Sequence, residues 1–255
     1  MKKLIALSLI FILSASIYAD NIYWYLAASM TTPGKEITTL YNNSQTKNHV
    51  TLLIGGSGEL LSKIKASGFD GIYTPASGDF LVKAEKMGIV ERSFKFLKQF
   101  PVIGLAENNA SSITTFNQFL NSKIKMAVGN PNTMALGETY LQIKQKMPKN
   151  EAAKLTSKES AYAVNVGEIV TYVKLGVVGS GTMYNTDAAI NKIKYVEIPK
   201  AYNIPSYAYM VILKNSNKKD NPEYNKNIDE FLSYVNKNSS IFEKYGFNTA
   251  KLSGK

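Results

Sequence analysis

The chain has 255 residues, of which 45% are hydrophobic, a formal net charge of +11 and no cysteine. That share of apolar residues is enough for one large domain or two smaller ones, and it excludes a chain that is disordered throughout. The lack of cysteine excludes disulfides, thiolate metal sites and a lipid attached through an N-terminal cysteine.

The positive charge has three interpretations: a solvated basic surface, mild steering of anions, or nucleic-acid binding. The lysines are scattered along the chain and form no dense stripe. We therefore expect no nucleic-acid partner.

The first 19 residues have the layout of a secretory signal peptide. Lys2 and Lys3 precede an apolar stretch over 4–13, and a segment of smaller residues then ends in Ala19. A membrane anchor is the alternative, but a helix that crosses a bilayer needs about 20 apolar residues. The pattern predicts a signal peptide over 1–19, cleavage after Ala19, and a mature protein free in a periplasm.

Apolar runs and helical patterns alternate along the rest of the chain. Strands are predicted over 22–28, 49–54, 71–73, 100–106, 125–129, 177–184, 195–198 and 207–213. Helices are predicted over 33–43, 57–66, 80–87, 113–120, 136–147, 166–175, 186–192, 223–237 and 239–246. The alternation predicts an α/β fold with mostly parallel strands, in which ligands bind beyond the carboxyl ends of the strands.

Two polar segments flank a central block of the chain, at 107–112 and 199–206. They indicate two lobes with a cleft between them, and a single continuous domain is the alternative. Lobe 1 is predicted from 20–99 plus 207–255 and lobe 2 from 107–198, with hinge crossovers at 100–106 and 199–206.

Two serines stand where a predicted strand ends and a helix begins. Ser29 follows the first strand, and Ser57 lies in the turn Gly55-Gly56-Ser57-Gly58 after the second. At such a place the hydroxyl, the free backbone N–H groups and the positive end of the helix dipole favour a small oxyanion. Helix capping alone is the alternative for both serines.

Over residues 22–247 the chain resembles the periplasmic molybdate/tungstate-binding proteins of ABC transporters. The stretches that carry the resemblance are LAASM (26–30), GGSGELL (55–61), GIYTPAS (71–77), MAVGNP (126–131), VGEIVTYVKLG (166–176), MYNTDA (183–188) and FEKYGF (242–247). The resemblance implies a type II periplasmic binding protein fold, with an oxyanion held between two lobes, each a mostly parallel sheet flanked by helices.

The family's binding positions fall on five residues of this chain. They are the hydroxyls of Ser29, Ser57 and Tyr184 and the backbone N–H groups of Leu136 and Val166. The chain departs from the family at position 136, where alanine is common, and at Ala135, where proline is common. The resemblance further implies a monomer without a cofactor, which passes its anion to a membrane permease driven by an ATPase. The metal enters only as the oxyanion, with no direct protein–metal bond.

The chemistry of these groups supports the same ligand class independently. Molybdate and tungstate are fully deprotonated at neutral pH and offer only acceptors, so a matching site offers only donors. A carboxylate would favour a protonated anion such as hydrogen phosphate, and no Asp or Glu stands at the five positions. Sulfate has the same hydrogen-bonding needs, so its exclusion depends on cavity size.

Other functions are less well supported. His49 is the only histidine, no nucleophile elbow or phosphate loop is present, and no His cluster suits zinc, so we expect no enzyme. A ferric-iron protein on the same fold would need converging tyrosines, with Tyr23/Tyr25 and Tyr207/Tyr209 as the candidates. A purely structural partner without a ligand is the remaining alternative.

Overall fold

Two β-sheets, each flanked by helices, organise the chain in this computed structural model. The structure describes residues 20–68, 70–214 and 221–252. The predicted signal peptide over 1–19 lies outside the described residues.

The strands and helices alternate much as the sequence predicts. The strands are β1 (Asp20–Ala27), β2 (Asn48–Gly55), β3 (Ile72–Thr74), β4 (Val90–Gln99), β5 (Pro101–Leu105), β6 (Met126–Gly129), β7 (Glu159–Ala163), β8 (Ser180–Tyr184), β9 (Tyr195–Glu197), β10 (Ser206–Leu213) and β11 (Asn248–Thr249). The α-helices are α1 (Thr31–Ser44), α2 (Ser57–Ser67), α3 (Gly78–Lys86), α4 (Phe116–Asn121), α5 (Ala135–Lys146), α6 (Lys149–Thr156), α7 (Val166–Lys174), α8 (Asn185–Ile190), α9 (Pro222–Lys237) and α10 (Ser240–Lys244). A 3-10 turn, Ala28–Met30, joins β1 to α1.

The first sheet has the strand order β11-β4-β10-β3-β1-β2. Strand β1 runs parallel to β2 and β3, whereas β10 runs antiparallel to β3 and β4. Helices α1, α2, α3, α9 and α10 pack against this sheet or against one another. We use "lobe 1" for this sheet with its helices.

The second sheet has the order β7-β6-β8-β5-β9. Strand β6 runs parallel to β7 and β8, and β5 runs antiparallel to β8 and β9. Helices α4 to α8 accompany this sheet, and "lobe 2" denotes the whole.

The predicted α/β fold, with two sheets flanked by helices, is confirmed, and both sheets are mixed. Each has a parallel block of three strands, extended by antiparallel strands on one side. The antiparallel strands include those next to the chain crossings, since β4 ends at Gln99 in one sheet and β5 begins at Pro101 in the other. Most of the predicted crossover 100–106 is therefore a strand of the second sheet, while the predicted lobe boundaries themselves stay a prediction.

The core follows from apolar patterning. In β1 the side chains of Ile22, Trp24 and Leu26 are buried on one face and Tyr25 on the other, as expected for an inner parallel strand. One cluster of buried apolar residues extends from lobe 1 into the facing side of lobe 2, and a second lies within lobe 2 alone. Among the described residues, no helix combines the length and hydropathy that crossing a membrane requires.

Trp24 on β1 is a packing residue. Its indole is fully buried against Phe231, and its Nε1–H donates to Thr74 Oγ1 over 2.8 Å. We expect Thr74→Val to destabilise the protein by about 1–3 kcal/mol, because the buried indole N–H loses its acceptor.

Urea unfolding measures this change as a lower midpoint at an unchanged slope. Thr51→Val is the matched control, since the half-buried Thr51 hydroxyl donates to Asn21 near solvent. Equal midpoints for Thr74→Val and the wild-type protein would contradict this account of Trp24.

Candidate functional site

One small cavity between the two lobes brings all five predicted site residues together. The centre of a water molecule can move within about 10 Å³ of this cavity, which is roughly the space that one bound water needs. Its lining residues are Ala27, Ala28, Ser29, Gly55, Gly56, Ser57, Ala76, Met134, Ala135, Leu136, Val166 and Tyr184. None of these side chains carries a charge.

Strand register explains why these segments converge. In lobe 1, Ala27 at the end of β1 lies opposite Gly55 at the end of β2. In lobe 2, Gly129 at the end of β6 lies opposite Ala163 at the end of β7. Because parallel strands end at the same sheet edge, the segments that follow them meet at one place from each lobe.

Helix N-termini from both lobes therefore point into the cavity. Ser57 is the first residue of α2 and Val166 the first of α7, while Leu136 is the second residue of α5. The first N–H groups of a helix have no partner within the helix, and the dipole makes this end positive. The cavity thus has a positive potential without a cationic side chain.

The Ser57 hydroxyl oxygen already accepts one hydrogen bond from its own lobe. Its Oγ accepts from the backbone N–H of Ala76 over 3.1 Å, and its backbone carbonyl accepts from the buried Tyr73 hydroxyl over 2.7 Å. The hydroxyl hydrogen remains available for a ligand acceptor. The Gly56 N–H, by contrast, already donates to Glu59 Oε2 over 3.1 Å.

Ser29 has a similar arrangement. Its Oγ accepts from the Gln99 side-chain amide over 3.3 Å, so its hydrogen is also available. Neither serine side chain caps its helix, because the N-caps of α1 and α2 are Met30 and Gly56. The capping interpretation of both serines is therefore wrong.

Tyr184 ends β8 and brings a hydroxyl from lobe 2. It is 1% exposed, and its Oη lies 3.2 Å from Ser206 Oγ. Burial raises the pKa of Tyr184 above its usual range, so the phenol keeps its proton and can donate it.

Asp187 lies next to the site, three residues after Tyr184. Its carboxyl accepts the Tyr184 backbone N–H over 3.2 Å and caps α8. Burial raises the pKa of Asp187 to about 8, so the carboxyl is largely protonated at neutral pH. It adds little negative charge near the cavity.

The lobes touch around the cavity. The backbone N–H of Gly58 donates to the Thr133 carbonyl over 2.9 Å, and farther out Lys83 pairs with Glu138 over 2.9 Å. A Cβ on Gly56 would lie 2.3 Å from the carbonyl oxygens of Thr133 and Val164. Glycine is required here because any side chain would hold the lobes apart.

The residues proposed for other functions lie elsewhere. His49 is exposed on the edge strand β2, as predicted for a surface residue. None of Tyr23, Tyr25, Tyr207 and Tyr209 lines the cavity, whose only tyrosine is Tyr184. Within the described ranges no group of three or more His, Cys, Asp or Glu residues is placed to hold a metal ion.

Sequence reasoning missed three polar residues that contact the predicted hydroxyls or one another. Gln99 and Ser206 bond to Ser29 and Tyr184, and Thr186 donates to Gln99 Oε1 over 3.2 Å. Strand β4, which ends in Gln99, was not predicted because its sequence VERSFKFLKQ mixes charged and apolar residues. The one available signal was a glutamine directly before the crossover.

Two lobes that meet on a small cavity lined by hydrogen-bond donors define a solute-binding protein. The chain belongs to the bacterial extracellular solute-binding protein family, whose model matches residues 22–248.

Two curated relatives are similar in sequence. A putative binding protein of Haemophilus influenzae is 28% identical over 138 residues, which are 54% of this chain and 56% of that protein. The putative ABC transporter substrate-binding lipoprotein YvgL of Bacillus subtilis is 26% identical over 213 residues, 81% of this chain and 78% of that protein.

Solved structures share the fold. The substrate-binding domain of a putative molybdenum ABC transporter from Clostridium difficile has a TM-score of 0.62 at 22% identity, covering 91% of this chain and 100% of that one. The periplasmic molybdate-binding protein of Azotobacter vinelandii has a TM-score of 0.72 at 17% identity, and the match covers 89% of this chain and 98% of that one. The sulfate-binding protein SubI of Mycobacterium tuberculosis has a TM-score of 0.69 at 13% identity, and the match covers 91% of this chain and 87% of that one. At such identities the likeness establishes the fold and not the ligand.

The raised pKa of Asp187 has a consequence for stability. The folded protein holds this proton up to about pH 8, whereas an unperturbed Asp releases it near 3.8, so stability falls as pH rises between these values. Asp187→Asn cannot titrate and keeps an acceptor for the Tyr184 N–H. We expect this variant to exceed wild type by about 1–3 kcal/mol at pH 8, with little difference at pH 4.

Thermal unfolding at both pH values measures the effect. The exposed Glu107→Gln is the control and should follow wild type at each pH. A gain of equal size at pH 4 and pH 8 would show that Asp187 does not carry the predicted proton.

Proposed function

We propose that this protein binds molybdate or tungstate between its lobes and delivers the anion to an ABC importer. The alternative on the same fold is another small ligand, with sulfate as the nearest in chemistry and ferric iron as the more distant.

The observation that carries the proposal is a cavity lining without a charged side chain, to which three hydroxyls and two helix N-termini contribute. Ser29, Ser57 and Tyr184 each have a hydroxyl hydrogen to offer, and the helix N-termini at Leu136 and Val166 offer backbone N–H groups. A fully deprotonated dianion needs only donors. Preoriented dipoles in a site without water stabilise such a charge without a lysine or arginine.

The lining also argues against the other ligands. Hydrogen phosphate needs an acceptor for its proton, and no carboxyl is among the cavity's described lining residues; Asp187 next to it is turned to the Tyr184 N–H and is largely protonated. Ferric iron favours anionic oxygen ligands, whereas Tyr184 is the cavity's single phenol and its pKa is raised by burial. Sulfate satisfies the same donors, and its smaller size is the remaining difference.

Binding follows from the two-lobe arrangement. In an open form Ser29 and Ser57 of lobe 1 engage the anion from a wet cleft. Closure then brings Leu136, Val166 and Tyr184 from lobe 2, and water leaves. The closed form is the one that a permease would recognise, so affinity and delivery depend on one conformational equilibrium.

The expected partners and location follow from the same function. The names of the Bacillus subtilis and Clostridium difficile proteins place them with ABC transporters. We extend this to a permease and its ATPase for the present chain, with the mature protein acting as a monomer in a periplasm.

Isothermal titration calorimetry of the anion-stripped protein tests the ligand directly. Molybdate, tungstate, sulfate and phosphate are titrated separately. Tight one-to-one binding of molybdate or tungstate, with weak sulfate and phosphate, supports the proposal. Tight sulfate binding, or no binding of any of the four, overturns it.

Ser57→Ala tests the site. The variant removes one donor to a charged ligand, and we expect molybdate binding to weaken by about 1.5–3 kcal/mol. Ser62→Ala in the same helix is the control, because the exposed Ser62 donates to the Gly58 carbonyl. Unchanged affinity in Ser57→Ala would remove Ser57 from the site.

Gly58→Ala tests closure. An alanine Cβ would lie 2.2 Å from the Asn132 carbonyl oxygen across the cleft, so it disfavours the closed form without touching the cavity. Overpacking of this kind costs about 1–3 kcal/mol, which we expect as weaker molybdate affinity and faster release. Gly78→Ala is the control, since its Cβ would meet only Tyr209 at 3.4 Å. Equal release rates in stopped flow would argue against closure at this contact.

A further inference from the structure

Two buried polar residues face each other where the chain passes between the lobes. Gln99 is the last residue of β4 and Ser206 the first of β10, and the two are paired in the antiparallel register. Their exposed fractions are 1% and 3%. Neither lines the cavity, yet each contacts a hydroxyl that does.

Gln99 contacts the serine of lobe 1 and a threonine of lobe 2. Its Nε2 donates to Ser29 Oγ over 3.3 Å, and its Oε1 accepts from Thr186 Oγ1 over 3.2 Å. The amide oxygen of Gln99 thus faces Thr186, and its nitrogen faces Ser29. With an N–H donor in front of it, the Ser29 oxygen acts as acceptor, so its own hydrogen is free to turn to the cavity.

Ser206 has the same relation to the tyrosine of lobe 2. Its Oγ lies 3.2 Å from Tyr184 Oη, and both residues are buried. If Ser206 donates this bond, the phenol hydrogen is left for the cavity. Gln99 and Ser206 then each fill the acceptor side of a hydroxyl and leave its donor side to the ligand.

We propose that Gln99 and Ser206 are positioning residues that orient the Ser29 and Tyr184 hydroxyls as donors to the bound anion. This inference rests on the proposed function, and it explains why these two hydroxyls act as donors rather than acceptors. Selectivity for fully deprotonated anions thus comes in part from two residues that never touch the anion.

Gln99→Glu replaces the N–H donor that faces Ser29 by an acceptor, and it is the most discriminating variant. An ionised glutamate side chain at this position has only acceptors, so Ser29 turns its hydrogen to the carboxylate and no longer donates to the anion. A protonated glutamic acid has one O–H and one acceptor oxygen, which restores the arrangement of glutamine. We expect molybdate affinity to fall about 10- to 100-fold at pH 8 and to recover towards wild type at pH 5.5.

Calorimetry with molybdate, in buffers of different ionisation enthalpy, gives a second readout. Binding to Gln99→Glu at pH 8 should take up about one proton more than binding to wild type, because a bound dianion favours the neutral side chain. Wild type is measured at each pH, since Asp187 titrates in the same range.

Gln99→Met removes the N–H donor without introducing a charge. Methionine has a similar shape but no N–H, so the Ser29 hydroxyl loses its fixed direction, and we expect affinity about three- to tenfold weaker at every pH. Ser206→Ala should weaken binding similarly through Tyr184. Ser180→Ala is the control: it is a fully buried serine bonded to the Lys125 carbonyl, and it should bind as wild type does.

Thr186→Val provides a second route should the Gln99 variants not fold. It leaves Gln99 in place but frees the amide to turn, and we expect about threefold weaker binding.

The outcomes are distinct. A pH-dependent loss in Gln99→Glu, together with a pH-independent loss in Gln99→Met, supports the inference. Wild-type affinity at pH 8 in the folded variants overturns it and leaves the proposed function intact. A wild-type protein that binds none of molybdate, tungstate, sulfate and phosphate overturns the proposed function and this inference with it.

Discussion

Unpaired backbone N–H groups at helix N-termini are the constraint on which this site depends. Strand register brings the starts of α2, α5 and α7 to one cavity, and a buried donor without an acceptor is costly. Side-chain caps meet part of this need, because Asn165 accepts the Glu168 N–H and Glu59 accepts the N–H of Gly56, which lines the cavity just before α2. Under the proposed function, the N–H groups of Leu136 and Val166 are left for a ligand that brings acceptors.

The residues next to the cavity's hydroxyl groups influence whether these groups donate or accept hydrogen bonds. A serine or tyrosine hydroxyl can donate or accept, so its presence in a cavity does not decide which ligand fits. In this protein the acceptor sides of Ser29 and Ser57 are occupied by Gln99 and by the Ala76 N–H. The hydroxyls are thereby left as donors, which supports the proposed binding of a deprotonated anion.

The turns that carry Ser29 and Ser57 could be predicted from local signals, whereas Leu136, Val166 and Tyr184 were predicted only from the family resemblance. Ser29 and Ser57 stand directly after apolar strands, and the strand–helix alternation places such turns at one sheet edge. The partners Gln99, Thr186 and Ser206 depend instead on contacts 22 to 87 residues apart. Strand β4 has charged residues among its apolar ones and pairs only with antiparallel strands, so neither periodicity nor a following helix marks it.

Discrimination among dianions has to come from a different part of the structure than affinity does. The donors would serve sulfate as well as molybdate, so they do not distinguish the two. Under the proposed function cavity size would distinguish them, and it depends on how closely α2 approaches the 132–134 segment and Val164. That distance is limited by Gly56 and Gly58, whose missing side chains admit the carbonyls of Asn132, Thr133 and Val164. For the proposed ligand, size would therefore be limited at the contact between the lobes, while charge and protonation would be recognised by the donors within the cavity.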